Sequence, residues 1–236
     1  MDKTTLEKIL EHKKNLVLIG EAGSGKTEVG LNLAIYMAQH RDRSVHLFDM
    51  DQTKALFRAR DAETLLANND VEVHFLDQYL DTPVVVSGVI ESMRDPSRLV
   101  ILDVGGGSHG SHMIGQFYQY LNTENSQTLY IFNPFRVWSD DRDNIAETMR
   151  SVLGSARLRN IRLVANPNLG EETTKEVILD GINKIRTLLP EYPIQFVCVL
   201  EHLADEIASM IPEPVLPIRI RTLPDWMQTG FHANDQ

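Results

Sequence analysis

Cysteine is all but absent from this 236-residue chain. The single copy, Cys198, lies inside the apolar run IQFVCVL, so an intrachain disulfide is impossible and a thiolate metal cluster lacks ligands. Long hydrophobic runs are missing as well. No stretch approaches the roughly 20 apolar residues that a membrane-crossing helix needs. The opening MDKTTLEKILEHKKN alternates charged with apolar residues and has no signal-peptide core, so a cytoplasmic location is expected. Positive charge is in deficit. A formal net charge of −10 is the opposite of the footprint of a non-specific DNA binder. The basic KALFRAR at 54–60 and the acidic stretch at 61–82 read first as solvated faces and second as partner surfaces. Internal repeats and low-complexity linkers are also lacking. With 42% hydrophobic and 24% charged residues, the length suits a single α/β domain, 1–236, with a sizeable core.

What the chain does have is a recurring short apolar run: NLVLIG, SVHLFDM, VEVHFLD, RLVILDV, TLYIFN, IRLVAN and IQFVCVL. Each has the length and the Val, Ile, Leu or Phe content of a strand buried on both faces. Helical signals separate most of them. Residues 26–39 repeat Val29, Leu33 and Met37; Thr82 and Pro83 read as an N-cap and first helical position. Residues 171–189 place Ile178, Ile182, Ile185 and Leu189 on one stripe, stopped by Pro190. Alternating strands and helices predict a doubly wound, mainly parallel α/β sheet of about seven strands with helices on both faces. Residues 225–236 lose periodicity and are expected to form a flexible tail.

One motif carries chemistry. Gly20, Glu21, Ala22, Gly23, Ser24, Gly25, Lys26 and Thr27 fit the Walker A pattern G-x-x-x-x-G-K-[ST] without a gap, and they and Glu28, next in the helix, are expected to bind the nucleotide. An apolar run precedes the loop and an amphipathic helix follows, which is the order the physics requires. Glycines let successive backbone N–H groups curl around phosphate oxygens, and the helix N-terminus adds partial positive charge. Lys26 is expected to reach the terminal phosphates and Thr27 to ligate Mg²⁺. Asp103 ends the run RLVILD as a Walker B aspartate would, with capping of a turn as the plainer alternative. Asp49 and Asp51 end another run. In a parallel sheet all three carboxylates would converge on one crevice.

With those motifs in order, the sequence resembles the MinD/ParA family of P-loop ATPases, the branch that includes the nitrogenase iron protein. The resemblance runs from roughly residue 14 to 200 and includes FDMDQ, LDVGGG, FNPFRVWSDDRDNIAETM and VANPN. It implies that Asp51 orients the attacking water, that Asp49 and Asp103 stand on the metal side, and that Asn166 reads adenine. No N-K-x-D guanine motif follows the late strand, so ATP is expected over GTP. The chain departs from the family where the signature lysine should stand, because that position is Glu21. The cluster cysteines of the iron protein are absent, and no basic amphipathic C-terminal helix offers a membrane attachment.

Other residues suggest less. His109 and His112 lie three apart and could share a metal, but two histidines without a third ligand are ordinarily surface or capping residues. Trp138 and Trp226 read as packing residues, and Ser108 and Ser111 have no evident base. The expected function is a slow Mg²⁺-dependent ATPase, monomeric or dimeric, whose nucleotide state is read by an unidentified partner protein. The alternatives are a nucleotide-binding scaffold with little hydrolysis, or a small-molecule kinase or ligase similar in architecture to dethiobiotin synthetase.

Overall fold

A computed structural model describes residues 5–51, 59–75 and 88–221. All seven apolar runs form strands: β1 (Asn15–Ile19), β2 (Ser44–Met50), β3 (Val71–His74), β4 (Arg98–Val104), β5 (Ser126–Phe132), β6 (Ile161–Ala165) and β7 (Ile194–Leu200). An eighth strand, β8 (Val215–Ile218), lies at the sheet edge beyond β7. Its sequence, VLPI, is short and contains Pro217, which an edge strand tolerates because its outer side pairs with no described strand. The order is β3-β2-β4-β1-β5-β6-β7-β8, and every pairing is parallel.

Parallel pairing needs crossovers, and helices supply them on both faces. Leu6 and Leu10 of α1 (Leu6–Leu10), the apolar side of α2 (Lys26–His40) and Leu66 of α3 (Ala59–Ala67) pack with Leu16, Leu18, Leu47 and Ile101. The opposite face carries α4 (Val89–Arg94), α5 (Gly107–His112), α6 (Tyr118–Leu121), α7 (Arg142–Ala156), α8 (Lys175–Leu188) and α9 (Glu201–Met210). Buried residues of α4, α6, α7, α8 and α9 cluster there with Val17, Phe48, Leu102 and Phe132. The stripe Ile178, Ile182, Ile185 and Leu189 is buried, as its spacing predicts. Thr174 caps α8 by accepting from the Val177 N–H, and Asp141 caps α7 through the N–H groups of Asp143 and Asn144.

Trp138 packs edge-on against Phe132, with ring centres 5.4 Å apart. Cys198 is fully buried and unpaired, and burial pushes its thiol far above the ordinary range, so it is inert. No described helix is long and apolar enough to cross a membrane. The Thr82 and Pro83 cap, most of KALFRAR, the end of the acidic stretch, Trp226 and the 225–236 tail lie outside the described residues.

Because every strand runs the same way, all C-terminal ends emerge on one edge. There β1 sits between β4 and β5, where the winding reverses direction. This is the crevice in which open α/β sheets hold ligands.

Candidate functional site

The first strand ends at Ile19 and the chain turns at once into the glycine loop. Gly20, Gly23 and Gly25 all have positive φ. Gly25 shows why the loop needs glycine: with φ at +92° it precedes α2, and a Cβ there would stand 2.3 Å from Asn166 Nδ2. Ser24 is buried, and its Oγ has no hydrogen-bond partner. Lys26 opens α2, is 7% exposed, and donates from Nζ to the Glu21 carbonyl at 3.0 Å. The ammonium therefore arches back over the loop rather than reaching outward.

Next to the loop, β2 and β4 bring the predicted carboxylates together. Asp49 and Asp103 are direct register partners, and Asp103 is also level with Leu18 of β1. Asp51 is buried just beyond β2, and its backbone N–H donates to Asp49 Oδ1 at 2.9 Å. The Asp51 side chain faces the turn after β4, since a Cβ on Gly105 would lie 3.2 Å from its Oδ1. Burial, then the charge of Asp49, pushes the Asp103 carboxyl up to about 7, against the opposing pull of a hydrogen bond from Thr27 and the charge of Lys26. One carboxylate oxygen of Asp103 remains buried with no partner. A buried, unpaired oxygen between a threonine hydroxyl and two more carboxylates is the environment a divalent cation relieves. Thr27, Asp49 and Asp103 thus fit Mg²⁺.

The turn after β4 is fastened to the phosphate loop. The Gly107 N–H donates to the Gly20 carbonyl at 3.2 Å. A Cβ on Gly106 would lie 2.7 Å from the Ala22 Cα. Glu21 turns toward this contact: its Oε1 accepts from the Ala22 N–H at 3.0 Å, and the carboxylate lies beside Gly107. Its charge, after burial, helps hold the Tyr130 phenol far above its usual range. Tyr130 is wholly buried in β5, and its hydroxyl has no partner.

Asn166 follows β6 and is buried against the loop, where its Nδ2 donates to the Ser24 carbonyl at 2.8 Å. Glu28 points elsewhere. Its carboxylate accepts from the Arg221 N–H at 2.7 Å, and Asn32, one turn on, exchanges hydrogen bonds with the Arg219 backbone. Arg136, in the loop after β5, is a residue the motifs did not single out. Its guanidinium lies 3.9 Å from where a Gly23 Cβ would be. Its only sequence signal was a lone cation among Pro134, Phe135, Val137 and Trp138 in the strand-to-helix connection.

A cavity of about 480 Å³ opens beside the loop, between α5 and α7. Glu21, His109, Glu147, Thr148 and Ser151 line it. His109 and His112 do not belong to any cluster of three metal-capable side chains among the described residues.

The sequence matches no protein-family model and no curated protein. Solved structures do resemble it. The cell division protein FtsY of Thermotoga maritima is 16% identical over 82% of this chain and 68% of its own, with a TM-score of 0.50. The signal recognition particle receptor FtsY of Elizabethkingia anophelis is 17% identical over 92% of this chain and 68% of its own, with a TM-score of 0.48. The MinD cell division protein of Aquifex aeolicus is 16% identical over 85% and 88%, with a TM-score of 0.46. At these identities the likeness is one of fold: an α/β P-loop nucleoside-triphosphatase architecture. The MinD/ParA relation stands as a resemblance of motifs.

Proposed function

We propose that this chain binds a nucleoside triphosphate with Mg²⁺, prefers ATP to GTP, and hydrolyses it slowly as a switch that a partner protein reads. The observation that carries this reading is the unpaired, buried oxygen of Asp103 beside Thr27 and Lys26, directly under the glycine loop. Bound Mg²⁺ would supply neutralisation of phosphate charge, held by Thr27, Asp49 and Asp103. Lys26 exchanges its carbonyl contact for phosphate oxygens, and the loop amides hold the remainder. Asp51 orients water from the far side, and Arg136 brings a second cation to the Gly23 end of the loop, where charge develops as the terminal phosphoryl departs.

Asn166 supports the preference for ATP. One of its two Nδ2 hydrogens is committed to the Ser24 carbonyl, which fixes the amide against the loop and leaves its oxygen to act as an acceptor. An acceptor suits the 6-amino group of adenine and opposes the 6-oxo group of guanine. The switch reading rests on the contact between Gly107 and Gly20, which couples the turn after β4 to the contents of the loop.

The cavity beside Glu21 favours one other reading, an acceptor site for phosphoryl transfer. Two carboxylates and several hydroxyls would select a substrate bearing an amine.

Calorimetric titration with ATP and GTP, with and without Mg²⁺, tests the assignment. ATP should bind more tightly, and Lys26→Ala should lose at least about tenfold in affinity, the worth of one charge-assisted hydrogen bond. Unchanged ATP affinity in a folded Lys26→Ala protein would refute it. Turnover that rises only when an amine-bearing metabolite is added would favour transfer over switching.

A further inference from the structure

On the other face of the sheet, away from the phosphate loop, two strands bring three ligand-type side chains to one point. His46 lies in β2, and its register partner in β3 is Glu72; His74 stands two residues further along β3. Side chains alternate along a strand, so His46, Glu72 and His74 share one face, while Asp49 points to the opposite one. His46 Nδ1 is 3.0 Å from His74 Nε2 and 3.5 Å from Glu72 Oε2, and His74 Nε2 is 3.4 Å from Glu72 Oε1.

We propose that His46, Glu72 and His74 bind a divalent transition-metal ion of the zinc class, at a site separate from the nucleotide. Ligands about 2.0–2.1 Å from a tetrahedral Zn²⁺ stand about 3.3–3.4 Å from one another. The three separations here bracket that value. Hydrogen bonding accounts for the 3.0 Å ring-to-ring contact, where one nitrogen donates to the other, but explains the carboxylate contacts less well. At 3.4 and 3.5 Å both are long for ring N–H donors, and with one proton between the two facing nitrogens one of them sets a lone pair against the carboxylate. Burial favours those neutral rings, holding both imidazoles below their usual range.

The site has the supports a metal centre needs. His46 is only 2% exposed, and its other ring nitrogen, Nε2, lies 3.2 Å from the Ser44 hydroxyl, which fixes the ring. The His74 ring is stacked on Phe48, with centres 4.2 Å apart. Arg98 opposes a cation here, but Asp95 pairs with its Nε at 3.1 Å and offsets that charge. Two imidazoles and one carboxylate suit a borderline ion and disfavour Mg²⁺ or Ca²⁺, which take oxygen ligands. Glu72 is largely exposed, leaving a fourth position open to water. The ion would fasten the edge strand β3 to β2.

The test uses Co²⁺ as a coloured probe, added to the nucleotide-free protein in excess Mg²⁺, followed by displacement with Zn²⁺. The expected result is one Co²⁺ per chain, with visible absorption of a four- or five-coordinate site that Zn²⁺ abolishes. Zn²⁺ alone should raise the melting temperature. His74→Gln and Glu72→Gln each remove a partly exposed ligand, so the fold is expected to survive, and circular dichroism checks it. Both should lower affinity at least tenfold and cancel the thermal shift. Retention in His109→Gln/His112→Gln would exclude the other histidine pair. Parent-like binding in a folded His74→Gln protein, absence of stoichiometric Co²⁺, or loss of binding in the His109/His112 variant would each overturn the proposal.

Discussion

Asp103 concentrates a conflict between stability and chemistry in one side chain. In the folded, metal-free protein its carboxyl is pushed up to about 7, whereas in the unfolded chain it returns to about 3.9. Between those values the unfolded state ionises while the folded state keeps its proton, so the folded state binds more protons. Stability from this group is therefore full below about pH 4 and is lost as pH rises through about 7. Asp103→Asn should flatten that slope in the presence of EDTA and stabilise the protein at pH 8 by an amount on the order of a few kcal/mol. The same variant should lose the Mg²⁺ enhancement of nucleotide binding. Chemical denaturation at pH 5 and pH 8 measures the first effect, and titration with and without Mg²⁺ measures the second. A parent-like pH slope would mean that Asp103 is not the buried titrating acid.

At the scale of elements, the decisive contact is between the phosphate loop and the turn that enters α5. Gly106 has ordinary φ, so its side-chain restriction comes from crowding alone: a methyl would meet Ala22 Cα at 2.7 Å and N at 2.9 Å, both backbone atoms that cannot swing aside. Gly106→Ala should push the turn off the loop, destabilise the protein by about 1–3 kcal/mol, and weaken nucleotide binding together with it. Thermal melts paired with titration check this; a variant that melts and binds like the parent would show that the two segments are not coupled.

The strands were legible because burial on both faces forces continuous apolar runs. Their edge companion β8 was not, since four residues interrupted by Pro217 leave no such run. The helix α5 reads as GSHGSH, with neither periodicity nor a side-chain cap, and Gly110 packs so closely on Gly105 that a Cβ there would lie 2.3 Å from the Gly105 carbonyl carbon. In the site, the loop, Asp49, Asp51 and Asp103 were legible by motif and strand-end position. The Arg136 approach to Gly23, the Asn166 bond to Ser24 and the His46–Glu72–His74 cluster were not. Each depends on which strands become neighbours, and a linear sequence does not display that order.

For the whole molecule the open question is association. The signature lysine that would reach a partner's nucleotide in the family this chain resembles is replaced by Glu21, whose carboxylate is satisfied within its own loop by the Ala22 N–H. The parent is expected to remain monomeric with ADP and with a non-hydrolysable ATP analogue, and to turn over slowly. Glu21→Lys should gain ATP-dependent dimerisation or turnover if only the missing cation limits it. Light scattering with each nucleotide reads the outcome. An ATP-dependent dimer of the parent would count against a monomeric switch.

The placement of β1 also has a consequence in time. Asn15 has its sheet partners in Val100 and Ser126, so the first strand of the chain pairs with nothing until the fourth and fifth have been made. On a ribosome the glycine loop emerges before β4 and β5 and stays unbraced until they follow, exposed beside the apolar run NLVLI. Contacts so distant along the chain also make folding slow. The cradle thus waits on distant partners, and a nucleotide in the surrounding solution would select only those chains that have already brought β4 and β5 to either side of β1.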